Sequence, residues 1–264
     1  GSRPNIIFIL ADDLGYGDSG VLYQNSRAAG LPKETTPNLD SFADEGMQLR
    51  MHYCPAPICV PSRASLMLGV HQGHANVRDE QWDKAISDNH TLANVLQAAG
   101  YATAAIGKWG IGGDDVGGTT PADWAAFPTK RGFDYFFGIS ASLDMPPYIF
   151  IENNKTIGEP TVTKKYGRSG PAEKDFEAVN VVLSVTRKAQ EVIVARAGMK
   201  QPFFLYLALP SPHAPIVPGK NFKGKSGVTD YGDYVMETDW AVGQVMKTLD
   251  SLGISGNTIV FFTS

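Results

Sequence analysis

The chain has 264 residues, 43% of them hydrophobic and 19% charged, the profile of a globular domain with enough apolar material for one sizeable core. A formal net charge of only −4 leaves no global positive field to gather phosphate backbones or anionic lipid, which argues against nucleic acid and membrane partners. The two cysteines, Cys54 and Cys59, cannot build a disulfide framework, and without further Cys or closely spaced His they are poor zinc ligands.

In chain order, Asn5 to Ala11 is a continuous apolar run, as expected of a strand buried on both faces. It is far too short to cross a bilayer, as is Phe203 to Leu209. No basic-then-apolar leader precedes it, but Gly1-Ser2 reads as an added start behind which a leader is expected to have been removable, so the compartment stays open. The first strand ends in Asp12-Asp13-Leu14-Gly15. Alone this reads as a polar turn; it also offers two hard oxygen donors suited to Ca²⁺, or less well Mg²⁺. Next comes Cys59-Val60-Pro61-Ser62-Arg63, running into an apolar stretch that ends at Gly69. Its four specified residues would co-occur by chance in roughly one chain of this length in a thousand. Pro61 predicts a helix start that sets Cys59 beside free N–H groups favouring an anion, and Arg63 adds a permanent positive charge.

Leu92, Val95, Leu96 and Ala99 mark a helix opened by Thr91 and stopped by Gly100. The strand Tyr101 to Ile106 runs into Gly107-Lys108-Trp109-Gly110, where Lys108 is either a satisfied surface lysine or a cation aimed at an anionic substrate. Gly110 to Pro128 and Asn153 to Pro171 read as long loops, and Ala172 to Ala197 as a helix. The strand Phe203 to Leu209 leads to Pro212-His213-Ala214-Pro215, with His213 a loop histidine or a site residue. A helix spans Tyr231 to Leu252 and a last strand Thr258 to Phe262. Alternating strands and helices predict an α/β fold, a mostly parallel central sheet flanked by helices, with ligands beyond the carboxyl ends of the strands. Trp82, Trp124 and Tyr148, in apparent loops, are candidates either for stacking on a sugar ring or for packing.

Taken together, these elements resemble the formylglycine-dependent type I sulfatases of the alkaline-phosphatase-like superfamily. The resemblance rests on Cys59 to Arg63, the Asp12-Asp13 pair, Gly107 to Trp109 and Pro212 to Pro215. It extends to Thr36-Pro37-Asn38-Leu39-Asp40 and to Gly132-Phe133-Asp134 with Gly138 following, and so covers nearly the whole chain. It implies a sulfatase acting on a sulfated small molecule or glycan, and a nucleophile made when a maturation enzyme converts Cys59 to Cα-formylglycine. A gem-diol oxygen near a divalent cation is a better nucleophile than a serine hydroxyl, and the second hydroxyl can expel sulfate. By the same resemblance Asp12 and Asp13 bind Ca²⁺, Arg63 steadies the formylglycine, Lys108 binds the sulfate or leaving oxygen, His213 contacts the ester oxygen, and Ser142 stands on the substrate side. It further implies an Asp-Asn metal pair and a smaller C-terminal domain beyond residue 264, and a periplasmic, secreted or lysosome-like compartment.

One position departs from the pattern. Gly110 stands where the family commonly has the histidine that deprotonates the second hydroxyl, which makes His74 a candidate base from another loop. A phosphate or phosphonate monoester hydrolase, and an inactive paralogue that binds sulfated glycans, are the competing functions.

Overall fold

In the computed structural model, residues 3–80, 85–87, 90–111 and 127–264 are described. Five parallel strands form the centre of a seven-stranded sheet in the order β5-β4-β3-β2-β8-β1-β9. They are β1 (Asn5–Asp12), β2 (Ala102–Lys108), β3 (Tyr135–Ile139), β8 (Phe203–Pro212) and β9 (Thr258–Thr263). The short β4 (Ile151–Glu152) and β5 (Lys155–Thr156) add antiparallel at one edge, and β6 (Val162–Lys165) pairs with β7 (Ser169–Ala172) in a separate ribbon.

β8 is buried at every position, and its alternation divides the core in two. Phe203, Leu205, Leu207 and Leu209 face α4 (Val181–Ala197) and α5 (Asp230–Ser251); Phe204, Tyr206 and Ala208 face the side occupied by α2 (Cys59–Leu68) and α3 (Leu92–Ala98). Helices therefore cover both faces of the sheet, as a continuously apolar parallel strand requires. A further helix, α1 (Pro37–Glu45), packs on α5. The strands approach closely where β2 meets β8: a Cβ on Gly107, whose φ is +108°, would lie 1.9 Å from the Ala208 carbonyl oxygen, so only glycine fits there.

Three expectations need correction. The helix predicted from Ala172 begins at Val181, because residues before it turn instead, with the Glu173 carboxylate accepting the Asp175 N–H at 2.9 Å. The stretch Asn153 to Pro171 is not one loop but holds β5, β6 and part of β7, with Asn153 in the left-handed region (φ 54°) at the β4–β5 turn. Tyr148 is fully buried in the core, its hydroxyl on the Arg168 carbonyl at 2.5 Å, and so packs rather than stacks on ligand. Trp82 and Trp124 lie outside the described residues.

Candidate active site

β1, β8 and β2 are neighbours, so their carboxyl ends deliver Asp12, His213 and Lys108 to one place. The first turn of α2 points at the same spot. Ile58, extended, is its N-cap, so Cys59 is the first helical residue rather than the one before it, where N–H groups lack intrahelical partners.

Asp12 is the hub. Its Oδ2 accepts Lys108 Nζ at 2.7 Å, and its Oδ1 accepts Arg63 Nη2 at 3.2 Å. Lys108 Nζ also donates to Cys59 Sγ at 3.1 Å, and that sulfur lies 3.7 Å from Asp12 Oδ1. Arg63 Nη1 is spent on the Lys108 carbonyl (2.9 Å) and the Tyr206 hydroxyl (3.4 Å). Lys108, Arg63 and Asp12 are all at least 95% buried, so none could be left without its partners at small cost. Burial works against ionisation of Asp12, but Arg63 and Lys108 outweigh it and hold the carboxyl below the usual carboxylate range.

His213 follows directly on β8. Its Nε2 lies 3.6 Å from Asp13 Oδ2, and ligand atoms of His213, Cys59 and Asp12 lie within 4.8 Å of one another. The Cys59 sulfur is the largest influence raising its pKa to about 9, against burial and the charge of Lys108. Two buried cations, Arg63 and Lys108, therefore converge on Asp12, while His213 faces Asp13 on the outer side.

Asp12, Cys59, Arg63, Lys108 and His213 are thus brought together, with Asp13 at the rim. Two other candidates lie apart. His74 is exposed and packs its ring against His71, centroids 4.4 Å apart; the histidine beside Cys59 is His213. Ser142 is buried in the turn after β3, lining a small recess with Leu143, Tyr148 and Phe176. Sequence reasoning overlooked Tyr206, whose only local signal is a phenol inside an otherwise apolar strand. At Gly110 (φ +65°), a Cβ would lie 3.0 Å from both Arg63 Cδ and Lys108 Cε.

A family model described as Sulfatase matches residues 4–264. The chain belongs to the sulfatase family. It is 33% identical to an N-acetylgalactosamine-6-O-sulfatase of Bacteroides thetaiotaomicron, over 99% of this chain and 58% of the relative. To bovine arylsulfatase A it is 36% identical, over 100% of this chain and 52% of the relative. Its fold matches a solved Bacteroides thetaiotaomicron protein described under the metabolism of multiple glycosaminoglycans, with TM-score 0.85 and 30% identity, over 100% of this chain and 62% of that one. The sulfatase chain spans roughly half the length of the curated relatives it matches. Among its described residues, no helix is long and apolar enough to cross a membrane.

The donor set suits a hard divalent cation. Asp12 and Asp13 offer carboxylate oxygens, and the exposed Asp13 carboxylate has His213 as an ion-pair partner at 3.6 Å. Two carboxylates offer at most four of the six to eight oxygens that Ca²⁺ takes, so these donors alone would not complete such a sphere.

Proposed function

We propose that this chain carries the catalytic centre of a sulfatase that hydrolyses a sulfate ester of a carbohydrate, with position 59 as nucleophile. The observation that carries the reading is the buried contact of Lys108 Nζ with both Cys59 Sγ and Asp12 Oδ2. A lysine held this way is a fixed positive charge at the atom where an anionic ester would react.

The roles follow from position. Bound at Asp12 and Asp13, a divalent cation, Ca²⁺ rather than Mg²⁺, would lower the pKa of an oxygen nucleophile; Cα-formylglycine, formed from Cys59 by a maturation enzyme, would supply that oxygen. Lys108 neutralises sulfate oxygen. Arg63, clamped by Asp12, the Lys108 carbonyl and Tyr206, keeps the first turn of α2 in register with β1 and β2. His213, whose Nε2 lies 3.6 Å from Asp13 Oδ2 at the end of β8 and beside position 59, is placed to give a proton to the leaving alcohol oxygen and to take one when sulfate departs. Its nearness to position 59 favours it over His74 for the second duty. Ser142 is kept on the substrate side by the family resemblance alone, since it is buried apart from the Cys59 cluster. A periplasmic, secreted or lysosome-like compartment fits the relatives' glycan substrates.

The test is turnover by protein from a host that makes formylglycine, assayed on a sulfated amino sugar and on the matched phosphate ester. Sulfate release that scales with the aldehyde fraction at position 59 and vanishes in Cys59→Ala is the expected result. Preference for the phosphate ester would assign the site to phosphorus chemistry. A plain thiol at position 59 from such a host, with tight binding of the sulfated sugar, would assign it to recognition without cleavage.

A further inference from the structure

Asp13 has φ 63°, the left-handed region that an aspartate tolerates but does not prefer. A carboxylate there points off the strand end only while the backbone stays in that well, and the surroundings supply the restraint. The Asp18 carboxylate, through Oδ2, accepts the Gly15 N–H at 2.8 Å and the Tyr231 hydroxyl at 2.6 Å. The same hydroxyl lies 3.3 Å from the Asp13 carbonyl oxygen, and Leu14 N–H donates to Ser264 Oγ at 2.9 Å. The turn from Asp13 to Asp18 is thus closed on itself by Asp18 and bolted by Tyr231 to the first turn of α5.

We infer that Asp18 and Tyr231 are positioning residues for Asp13: they hold its backbone in the left-handed well so that its carboxylate is presented beside Asp12 before a cation arrives. The inference rests on the reading above that these two aspartates bind a divalent cation. Neither Asp18 nor Tyr231 touches the Asp12, Cys59 and Lys108 cluster, so removing them leaves the anion-binding charges in place. They act on the metal half of the site alone.

The experiment is calorimetric titration of Ca²⁺ into the whole chain, with amide hydrogen exchange at Leu14 and Gly15 as a second readout. Tyr231→Phe removes the bolt with little change of shape, Asp18→Ala removes both acceptor duties, and Asp18→Asn keeps one oxygen acceptor. Supporting partners of metal ligands are typically worth ten- to a hundredfold in affinity, so Tyr231→Phe should weaken Ca²⁺ about tenfold and Asp18→Ala more. Exchange at Gly15 should speed up in both, the urea midpoint should move little in Tyr231→Phe, and Asp18→Asn should recover most of the affinity. Unchanged Ca²⁺ affinity in Tyr231→Phe and Asp18→Ala, with binding lost in Asp12→Ala, would overturn the positioning role and leave the metal reading intact. Ca²⁺ binding that survives Asp12→Ala, or is missing from the parent chain, would overturn the metal reading and this inference with it.

Discussion

At position 110 a missing side chain decides how two cations can share one carboxylate. Arg63 and Lys108 both converge on Asp12, and the space between their stems is the space a Cβ at 110 would need. Gly110→Ala must also pay the left-handed backbone penalty at φ +65°. A displacement of about 1 Å in a charged group at a reacting centre costs about a hundredfold in rate, so Gly110→Ala should lower kcat of the mature enzyme by that order with a small loss of stability. Gly110→His should do no better, although it supplies the histidine that the family resemblance implies at this place. Equal or higher kcat in Gly110→His, measured with the aldehyde fraction matched, would show that the neighbouring stems yield.

Glu237 of α5 offers a second test at the same scale. It is buried, with the Gly219 N–H donating to Oε2 at 2.7 Å, and burial raises its pKa to about 7 against that hydrogen bond. A carboxyl with a raised folded pKa binds protons more readily in the native than in the unfolded state. Its contribution is therefore full below the unfolded pKa near 4.5 and is lost as pH rises toward 7. The loss across that window is about 2–3 kcal/mol. Urea unfolding at pH 5 and pH 8 should show this decline in the parent chain and a flatter profile in Glu237→Gln, which keeps an oxygen for Gly219. Parallel profiles would mean that Glu237 does not titrate in this range.

At the scale of elements, α1 shows a helix capped from another helix. Thr36, its N-cap, makes no side-chain capping bond. The duty falls to Asp239 of α5, which accepts Leu39 N–H at 2.8 Å, Asn38 N–H at 3.3 Å and Asn38 Nδ2 at 2.6 Å. A carboxylate at a helix N-terminus also meets the favourable end of the dipole. Asp239→Ala leaves the buried Leu39 N–H and the half-buried Asn38 donors without this partner and should cost about 2 kcal/mol, with amide exchange in α1 accelerating before that of α5. Uniform acceleration across both helices would contradict the capping role. The same contact shows what was legible beforehand. Thr36 to Asp40 could be recognised as a motif, but its partner lies some 200 residues away, and no local pattern announces it. The Cys59 signature and the ends of β1, β2 and β8 were readable because chain-local chemistry defines them. Tyr206 and the Asp18–Tyr231 pair were not, since their meaning comes from contacts across 143 and 213 positions. The short strands within 153–171 escaped because strands of two to four residues carry too few side chains to establish a period.

At the scale of the whole molecule, the sheet separates two demands on Asp12. Its buried edge is occupied by Arg63 and Lys108, while Asp13, one residue on, faces outward with its side chain 64% exposed. On the proposed metal reading, a divalent cation would approach from the rim and contend with Lys108 for the Asp12 carboxylate. A bound sulfate would ease this competition by drawing the ammonium toward itself. Because the folded chain alone assembles this pair of aspartates, Ca²⁺ should stabilise it by mass action. At a hundredfold excess over the dissociation constant the gain is about 2.7 kcal/mol, or roughly 5 to 10 °C in Tm for a chain of this size. Mg²⁺ should shift Tm less, since it demands closer octahedral geometry than two strand-end carboxylates impose. Lys108→Met should enlarge the Ca²⁺ shift while abolishing turnover, because it frees Asp12 Oδ2 and removes the charge that meets sulfate. The deciding comparison is scanning calorimetry of the parent chain, Asp12→Ala and Lys108→Met with and without Ca²⁺. A Lys108→Met shift no larger than the parent's would mean that lysine and metal do not contend for Asp12, and a full shift in Asp12→Ala would place the cation elsewhere.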